Sequence, residues 1–145
     1  MARIVNIIFI FVLLVLLGIQ FIPINKTNPI ITQDMQAPVE VKSILRTSCY
    51  NCHSNETKWP WYSNFAPVSW MIINDVSDAR NKLNFSTWNK ISFEKKEELM
   101  KDIWDEVRQE DMPLTLYTFI HPEAKLDILQ KNIIKKWITG TGIGE

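Results

Sequence analysis

The sequence predicts an all-α fold of about four helices behind an N-terminal apolar helix. Four separate stretches carry apolar residues at helical spacing, and no stretch alternates apolar and polar residues as a half-buried strand does. A long uncharged apolar run stands at the N-terminus. With 145 residues and 11% aromatic residues, the chain has the length of one domain and is too apolar for disorder.

The apolar run predicts a membrane segment at residues 1–25. As a helix, Ile4 to Ile22 would span about 28 Å, close to the thickness of the hydrocarbon core. An uncleaved anchor is favoured over a cleaved signal because no small-x-small site follows the run. Arg3 on the short N-terminal side favours a cytoplasmic N-terminus. We therefore expect a single-pass protein of the cytoplasmic membrane with its folded domain exported to the periplasmic side.

A polar stretch without helical period, residues 26–37, is predicted to be a tether, and the folded domain is expected over residues 38–145. Its first helix begins near Pro38, a residue suited to a first helical turn. The second covers about Pro67 to Leu83, with inward positions that include Ala79 and Leu83. The third follows Ser92, an expected N-cap, and its inward face comprises Phe93, Leu99, Met100, Ile103 and Val107. The fourth starts at Asp127, which forms a capping box with Gln130, and ends at Gly140.

The segment Cys49-Tyr50-Asn51-Cys52-His53 is a C-x-x-C-H run, the attachment signature of c-type haem. Two thiols three residues apart on one turn can reach the two vinyl groups of one porphyrin, and the adjacent His53 then faces the iron. Cys49 and Cys52 are therefore predicted to form thioethers to haem c, and His53 to be the proximal iron ligand. A thioredoxin-like thiol pair would need a βαβ context, and a zinc site would need more ligands than His121 can add.

The candidates for a sixth iron ligand outside the anchor are four methionines and one histidine: Met35, Met71, Met100, Met112 and His121. Met71 and Met100 lie within predicted helices, where a methionine usually fills core, and Met35 lies in the tether. Met112 precedes Pro113, where a helix has ended, so its side chain is free to reach a haem face. Met112 is the favoured distal ligand, with His121 or an open site as alternatives.

The chain resembles the haem-binding domain proteins of bacterial envelopes, a cytochrome c-like group. The resemblance covers about Pro38 to Thr139. It rests on the C-x-x-C-H run with its flanks, on Trp59-Pro60-Trp61-Tyr62-Ser63, Ala66-Pro67-Val68-Ser69-Trp70 and Asn84-Phe85-Ser86-Thr87-Trp88, and on Met112-Pro113 followed by Tyr117 and His121-Pro122-Glu123-Ala124-Lys125-Leu126. It implies a cytochrome c-like helical fold, thioethers at Cys49 and Cys52, His53 as proximal ligand and Met112 as distal ligand.

Trp61 and Tyr62 follow the motif and are predicted to pack in the haem pocket, where either could bond a propionate. An electron carrier with a closed, six-coordinate haem iron is the favoured function. A sensor or peroxidase-like enzyme with a displaceable sixth ligand is the alternative. The expected partners are the cytoplasmic membrane and an unidentified redox protein. The zero formal net charge argues against a nucleic-acid partner.

Overall fold

The computed structural model describes residues 1–140, and within them the chain is all-α with no strand, as predicted. The α-helices are α1 Ala2–Gly18, α2 Val39–Ser48, α3 Tyr50–His53, α4 Val68–Lys82, α5 Phe93–Gln109, α6 Thr115–Ile120 and α7 Ile128–Gly140. Four 3₁₀ turns lie at Ile19–Phe21, Trp61–Asn64, Phe85–Lys90 and Pro122–Ala124. The four predicted helices correspond to α2, α4, α5 and α7. The one-turn α3 and the short α6 are additions.

The N-terminal helix is long and apolar enough to cross a membrane. Together with its 3₁₀ turn it covers Ala2–Phe21, 20 residues with a mean hydropathy of 2.8, and no residue of α1 is buried. Such a helix lacks a polar face that could lie against water. This is the helix expected of an anchor or of a signal segment.

Local side-chain bonds explain where two of the long helices begin. The Ser92 side chain accepts a hydrogen bond from the Lys95 backbone N–H at 3.3 Å, as an N-cap does. Asp127 and Gln130 form the predicted reciprocal capping box, with bonds of 2.7 and 3.0 Å. Helix α5 ends at Gln109, and the next residue, Glu110, has a left-handed φ of 64° that turns the chain out of the helix.

The core lies where α2, α5 and α7 meet. It is formed by large apolar side chains, among them Leu45, Met100, Ile103, Ile134 and Ile138. Truncating one such side chain to alanine costs about 2–5 kcal/mol. Helix α7 contacts both α2 and α5, and so the core holds α5 and the loop that follows it in place relative to α2.

The segment predicted as a tether is packed on the domain. Met35 is 1% exposed, and its backbone N–H donates to the Phe85 carbonyl at 2.8 Å. The backbone N–H groups of Thr32 and Gln33 both donate to the Ser86 carbonyl. The segment lacks a helical period because it is extended, and it is attached by backbone hydrogen bonds that a composition pattern does not reveal.

Two predicted inward positions are exposed. Phe93, expected on the inner face of α5, is 65% exposed because the first turn of that helix extends beyond the core. Met71, expected to fill core, is 56% exposed on α4, whose buried residues are Ser69 and Val76. Met100 is buried as expected.

Candidate functional site

The C-x-x-C-H run occupies a single helical turn between α2 and α4. Cys49 closes α2, its N–H donating to the Leu45 carbonyl at 2.8 Å, and its own carbonyl accepts from the N–H groups of Cys52 and His53. Residues three apart on such a turn lie on the same side of it. Both cysteines are unpaired and partly buried. The turn thus presents two free thiols and one imidazole from a short, rigid piece of backbone.

The His53 ring is oriented by the end of α4. Its Nδ1 lies 3.1 Å from the carbonyl oxygens of both Ala79 and Leu83. Carbonyl oxygens only accept hydrogen bonds, so Nδ1 carries the ring hydrogen and the lone pair is on Nε2. A metal-binding histidine is commonly held this way by its second nitrogen. Burial lowers the pKa of His53, against the opposing effect of the two carbonyls, and so favours the neutral ring that binds metals.

A cavity of about 590 Å³ opens beside this turn. That volume is within the range of small-molecule and cofactor sites. Cys49 and His53 form one part of its wall, and Met112 with Pro113 forms another. The apolar lining between them comes from α5 and from the segment after α4: Leu83, Phe85, Leu99, Ile103 and Val107. The charged lining residues are Lys82, Lys95, Asp102, Asp105 and Glu106. The cavity combines an apolar interior with a nitrogen ligand and a thioether.

Met112 reaches the cavity because α5 ends early. After the left-handed Glu110, the N–H groups of Asp111 and Met112 both donate to the Glu106 carbonyl, at 3.1 and 3.3 Å. The chain therefore folds back against the last turn of α5. This turn brings the Met112 side chain to the same cavity as His53, although the two residues are far apart in sequence.

His121 lies at a second, smaller cavity of about 70 Å³, together with Cys52, Tyr62 and Tyr117. Its Nε2 is 2.6 Å from the Tyr62 hydroxyl, and its Nδ1 is 3.1 Å from a Glu123 carboxylate oxygen. The ring is also stacked on Tyr117 with centroids 4.6 Å apart. The large cavity is not lined by His121. The structure thus separates the two candidate distal ligands into different cavities.

The two aromatic residues predicted to line the haem pocket are placed differently from each other. Tyr62 lies at the smaller cavity beside Cys52. Trp61 is 75% exposed and lines neither of the two cavities. Trp61 therefore lies in the 3₁₀ turn Trp61–Asn64 with its ring at the surface.

Burial keeps both thiols neutral. It raises the pKa of Cys49 to about 12, with a smaller contribution from nearby Cys52. The pKa of Cys52 is also raised by burial and by Asp75, and Arg80 opposes this only in part. Nucleophilic redox cysteines have lowered pKa values in electropositive surroundings. These thiols are unlike such a redox pair.

Several residues that shape the site were not predicted from the sequence. Phe85 is 1% exposed, stacks on Tyr50 with centroids 5.0 Å apart, and meets the His53 ring edge-on at 6.3 Å. The carbonyl groups of Ala79 and Leu83 have no signature in the sequence. The predicted periodicity of α4 does put both residues on its inner face, which was the available signal.

A metal centre of another type is not built by the described part of the chain. Within residues 1–140, no group of three or more His, Cys, Asp and Glu side chains is placed to hold a metal ion. A four-ligand zinc site therefore finds no support there. The large cavity offers the nitrogen of His53 and the sulfur of Met112, so it suits a metal whose other ligands belong to a cofactor.

Comparison with known proteins agrees with this chemistry. The model of a family described as haem-binding domain matches residues 14–140, most of the chain. No curated protein and no solved structure matches the chain significantly.

Proposed function

The chain belongs to the haem-binding domain family, and we propose that its haem is held covalently as haem c and that the protein carries electrons. The observation that carries the proposal is the cavity of about 590 Å³ shared by Cys49, His53 and Met112. A thiol, a metal-binding imidazole and a thioether around one apolar space match the needs of an attached porphyrin with two axial ligands.

The residues fit this group in their chemistry. Cys49 and Cys52 are free and three residues apart. Cys49 lines the large cavity and Cys52 the smaller one, so the second thioether would require the Cys52 side chain to turn toward the large cavity. His53 would be the proximal iron ligand through Nε2, and Met112 the distal one. A bound haem supplies a reversible one-electron couple at its iron. The protein determines how that couple is tuned, through the axial ligands, the hydrogen bonds behind them and the polarity of the surroundings.

The chain's own residues would favour the reduced state and exclude water. The Met112 thioether is a neutral, soft donor, and His/Met ligation gives a higher potential than ligation by two imidazoles. The carbonyls of Ala79 and Leu83 hold the His53 ring in one tautomer and one orientation. The apolar part of the lining, including Leu99 and Val107, would pack against the porphyrin and limit its contact with water. Ligation by both His53 and Met112 would leave no open iron position for a substrate, as a carrier requires.

The location proposed is the outer side of the cytoplasmic membrane, with α1 as a single-pass anchor. Support comes from the length and hydropathy of Ala2–Phe21 and from Arg3 on its short side. The protein should sediment with membranes, and externally added protease should degrade the domain in spheroplasts. A soluble product that begins after residue 22, or protection from protease, would contradict this location.

An optical spectrum of the haem-loaded full chain in both oxidation states tests the carrier proposal. A six-coordinate, low-spin spectrum in both states, with little change on adding carbon monoxide, is expected of a closed site. A high-spin spectrum with ready carbon monoxide binding would overturn the carrier assignment. It would favour the sensor or peroxidase-like alternative, which requires an open sixth position.

A further inference from the structure

The 3₁₀ turn Ile19–Phe21, which follows α1, is bonded to the folded domain. Gln20 lies one residue before the end of the apolar span, and its side chain donates to the Leu16 carbonyl at 2.8 Å. The same side chain donates to the Ala66 carbonyl and accepts from the Ala66 N–H, each at 3.0 Å. Lys26 also donates to the Asn64 side chain. These contacts attach the loop around Ala66 to the point where the chain leaves α1.

Large exposed apolar side chains flank Ala66 in the sequence. Trp61 and Phe65 precede Ala66 and are 75% and 56% exposed, and their rings meet edge-on with centroids 6.1 Å apart. Val68 and Met71 follow on the first turn of α4 and are also exposed. Single exposed apolar residues are ordinary. Four of them in one short segment, two with their rings in contact, indicate a contact surface. We call Trp61, Phe65, Val68 and Met71 the anchor-side patch.

The position of Gln20 indicates that the membrane surface covers this patch. A helical span of 20 residues is about 30 Å long, the thickness of the hydrocarbon core, so Gln20 lies close to the outer membrane–water boundary. Ala66 is hydrogen-bonded to Gln20 and is therefore at this boundary, and the patch residues precede and follow Ala66 closely in the sequence. Tryptophan is enriched at that level because its ring is apolar and its N–H is polar.

We propose that the anchor-side patch inserts into the outer lipid interface of the membrane that α1 spans, and so fixes the orientation of the haem domain on the membrane. This inference rests on the membrane anchoring within the proposed function. It assigns a lipid surface, and no protein, to Trp61, Phe65, Val68 and Met71. The domain then has one fixed side toward the bilayer, and the 59–71 region is unavailable to a soluble redox partner.

Photocrosslinking of the full chain in lipid nanodiscs tests the placement. The photoreactive residue p-benzoylphenylalanine replaces Trp61 in one variant and Phe93 in a matched control. Phe93 is a comparably exposed aromatic residue, 65% exposed. The α5 residues that follow Phe93 line the large cavity together with the C-terminal end of α4. The anchor-side patch lies at the opposite, N-terminal end of α4, a helix about 22 Å long. Irradiation should give several-fold more lipid adduct at position 61 than at position 93, measured by mass spectrometry.

The possible results distinguish the membrane anchoring from the placement of the anchor-side patch. Loss of co-elution with nanodiscs would overturn the anchoring and with it this placement. Co-elution with equal or no lipid adduct at position 61 would overturn the placement and leave the anchoring intact. Crosslinking of position 61 to a second protein chain in place of lipid would likewise overturn it. Retention of the haem spectrum by both variants shows that the domain is folded in each.

Discussion

The Tyr62 hydroxyl lies 2.6 Å from His121 Nε2, and this bond already uses the lone pair that an iron ligand needs. The Nδ1 of the same ring faces a Glu123 carboxylate oxygen at 3.1 Å. Because a carboxylate only accepts hydrogen bonds, Nδ1 carries the ring hydrogen and Nε2 accepts from Tyr62. His121 would have to break this bond and leave its cavity to reach the one that Met112 lines.

The first prediction concerns the distal ligand. Replacing Met112 with alanine should convert the oxidised haem protein from low to high spin and admit carbon monoxide after reduction, because the thioether is lost. The weak far-red band of sulfur-ligated ferric haem should vanish in the same variant. Met112→His should restore low spin and lower the midpoint potential, since a second imidazole replaces the thioether. Absorption spectra and redox titration measure these changes.

The matched control for that prediction is His121→Ala. It removes the rival ligand and should leave the spin state and the far-red band as they are in the unmodified protein. High spin in His121→Ala together with low spin in Met112→Ala would reverse the assignment and make the protein a bis-histidine cytochrome.

The second prediction concerns attachment. The haem should stay with the unfolded chain during acid-organic extraction, because two thioethers are covalent bonds. Cys49→Ala and Cys52→Ala should each retain at most one linkage, and the double variant should release all of its haem. Intact-mass spectrometry after expression with haem-maturation machinery measures this. A mass equal to the bare chain in the unmodified protein would show that the cofactor is not covalently held.

The helices were predictable because their signals are local. The Asp127–Gln130 capping box and the Ser92 cap are read from residues three positions apart, and both form as predicted. The apolar period of α5 identified Leu99, Met100 and Ile103 as buried. Phe93 follows the same period but lies in the first turn, where the partner helices no longer cover it.

The site was predictable only in part, because its geometry depends on contacts between distant segments. The C-x-x-C-H run marks its own chemistry, whereas the carbonyls that orient His53 belong to the backbone of α4 and are invisible to composition. The packing of Met35 likewise depends on a backbone bond to Phe85. The separation of His121 from Met112 follows from the fold of the loop after α5, and the sequence alone left both as candidates.

The third prediction concerns Arg80, which joins three parts of the domain. Its guanidinium donates to the Ser54 and Thr27 carbonyls at 2.7 and 2.9 Å, and to the side chains of Asn28 and Thr57 at 2.7 and 2.8 Å. Arg80→Ala should lower the free energy of unfolding by about 2 kcal/mol, since several partly exposed hydrogen bonds are lost together. Arg80→Lys should recover less than half of this, because an ammonium group cannot span four acceptors.

Chemical denaturation of the haem-loaded protein measures the effect of Arg80. Lys101→Ala, which removes an exposed cation on α5, is the control and should change stability by less than about 0.5 kcal/mol. Equal stability of Arg80→Ala and the control would show that the extended segment before α2 is held without this side chain.

The fourth prediction concerns alkaline pH and Tyr50. This side chain is 3% exposed, and its hydroxyl donates to Asp34 at 2.9 Å and accepts from Lys42. Burial, and then the hydrogen bond to Asp34, raise the pKa of Tyr50 above its usual value near 10. A group whose pKa is raised on folding stabilises the protein fully below the unfolded pKa, and this contribution is lost as pH rises toward the folded pKa. The unmodified protein should therefore lose about 1.4 kcal/mol per pH unit from this group above pH about 10.

Tyr50→Phe cannot ionise, so its stability should fall less steeply over the same range. At neutral pH the variant should be less stable by about 1 kcal/mol, since one buried hydrogen bond is lost. The difference should shrink and then reverse as the pH rises beyond about 10. Tyr62 and Tyr117, whose pKa values are also raised by burial, are present in both proteins and cancel in the comparison. The measurement is the free energy of unfolding of both proteins as a function of pH. A constant difference between them up to pH about 11 would show that Tyr50 does not resist ionisation in the folded state.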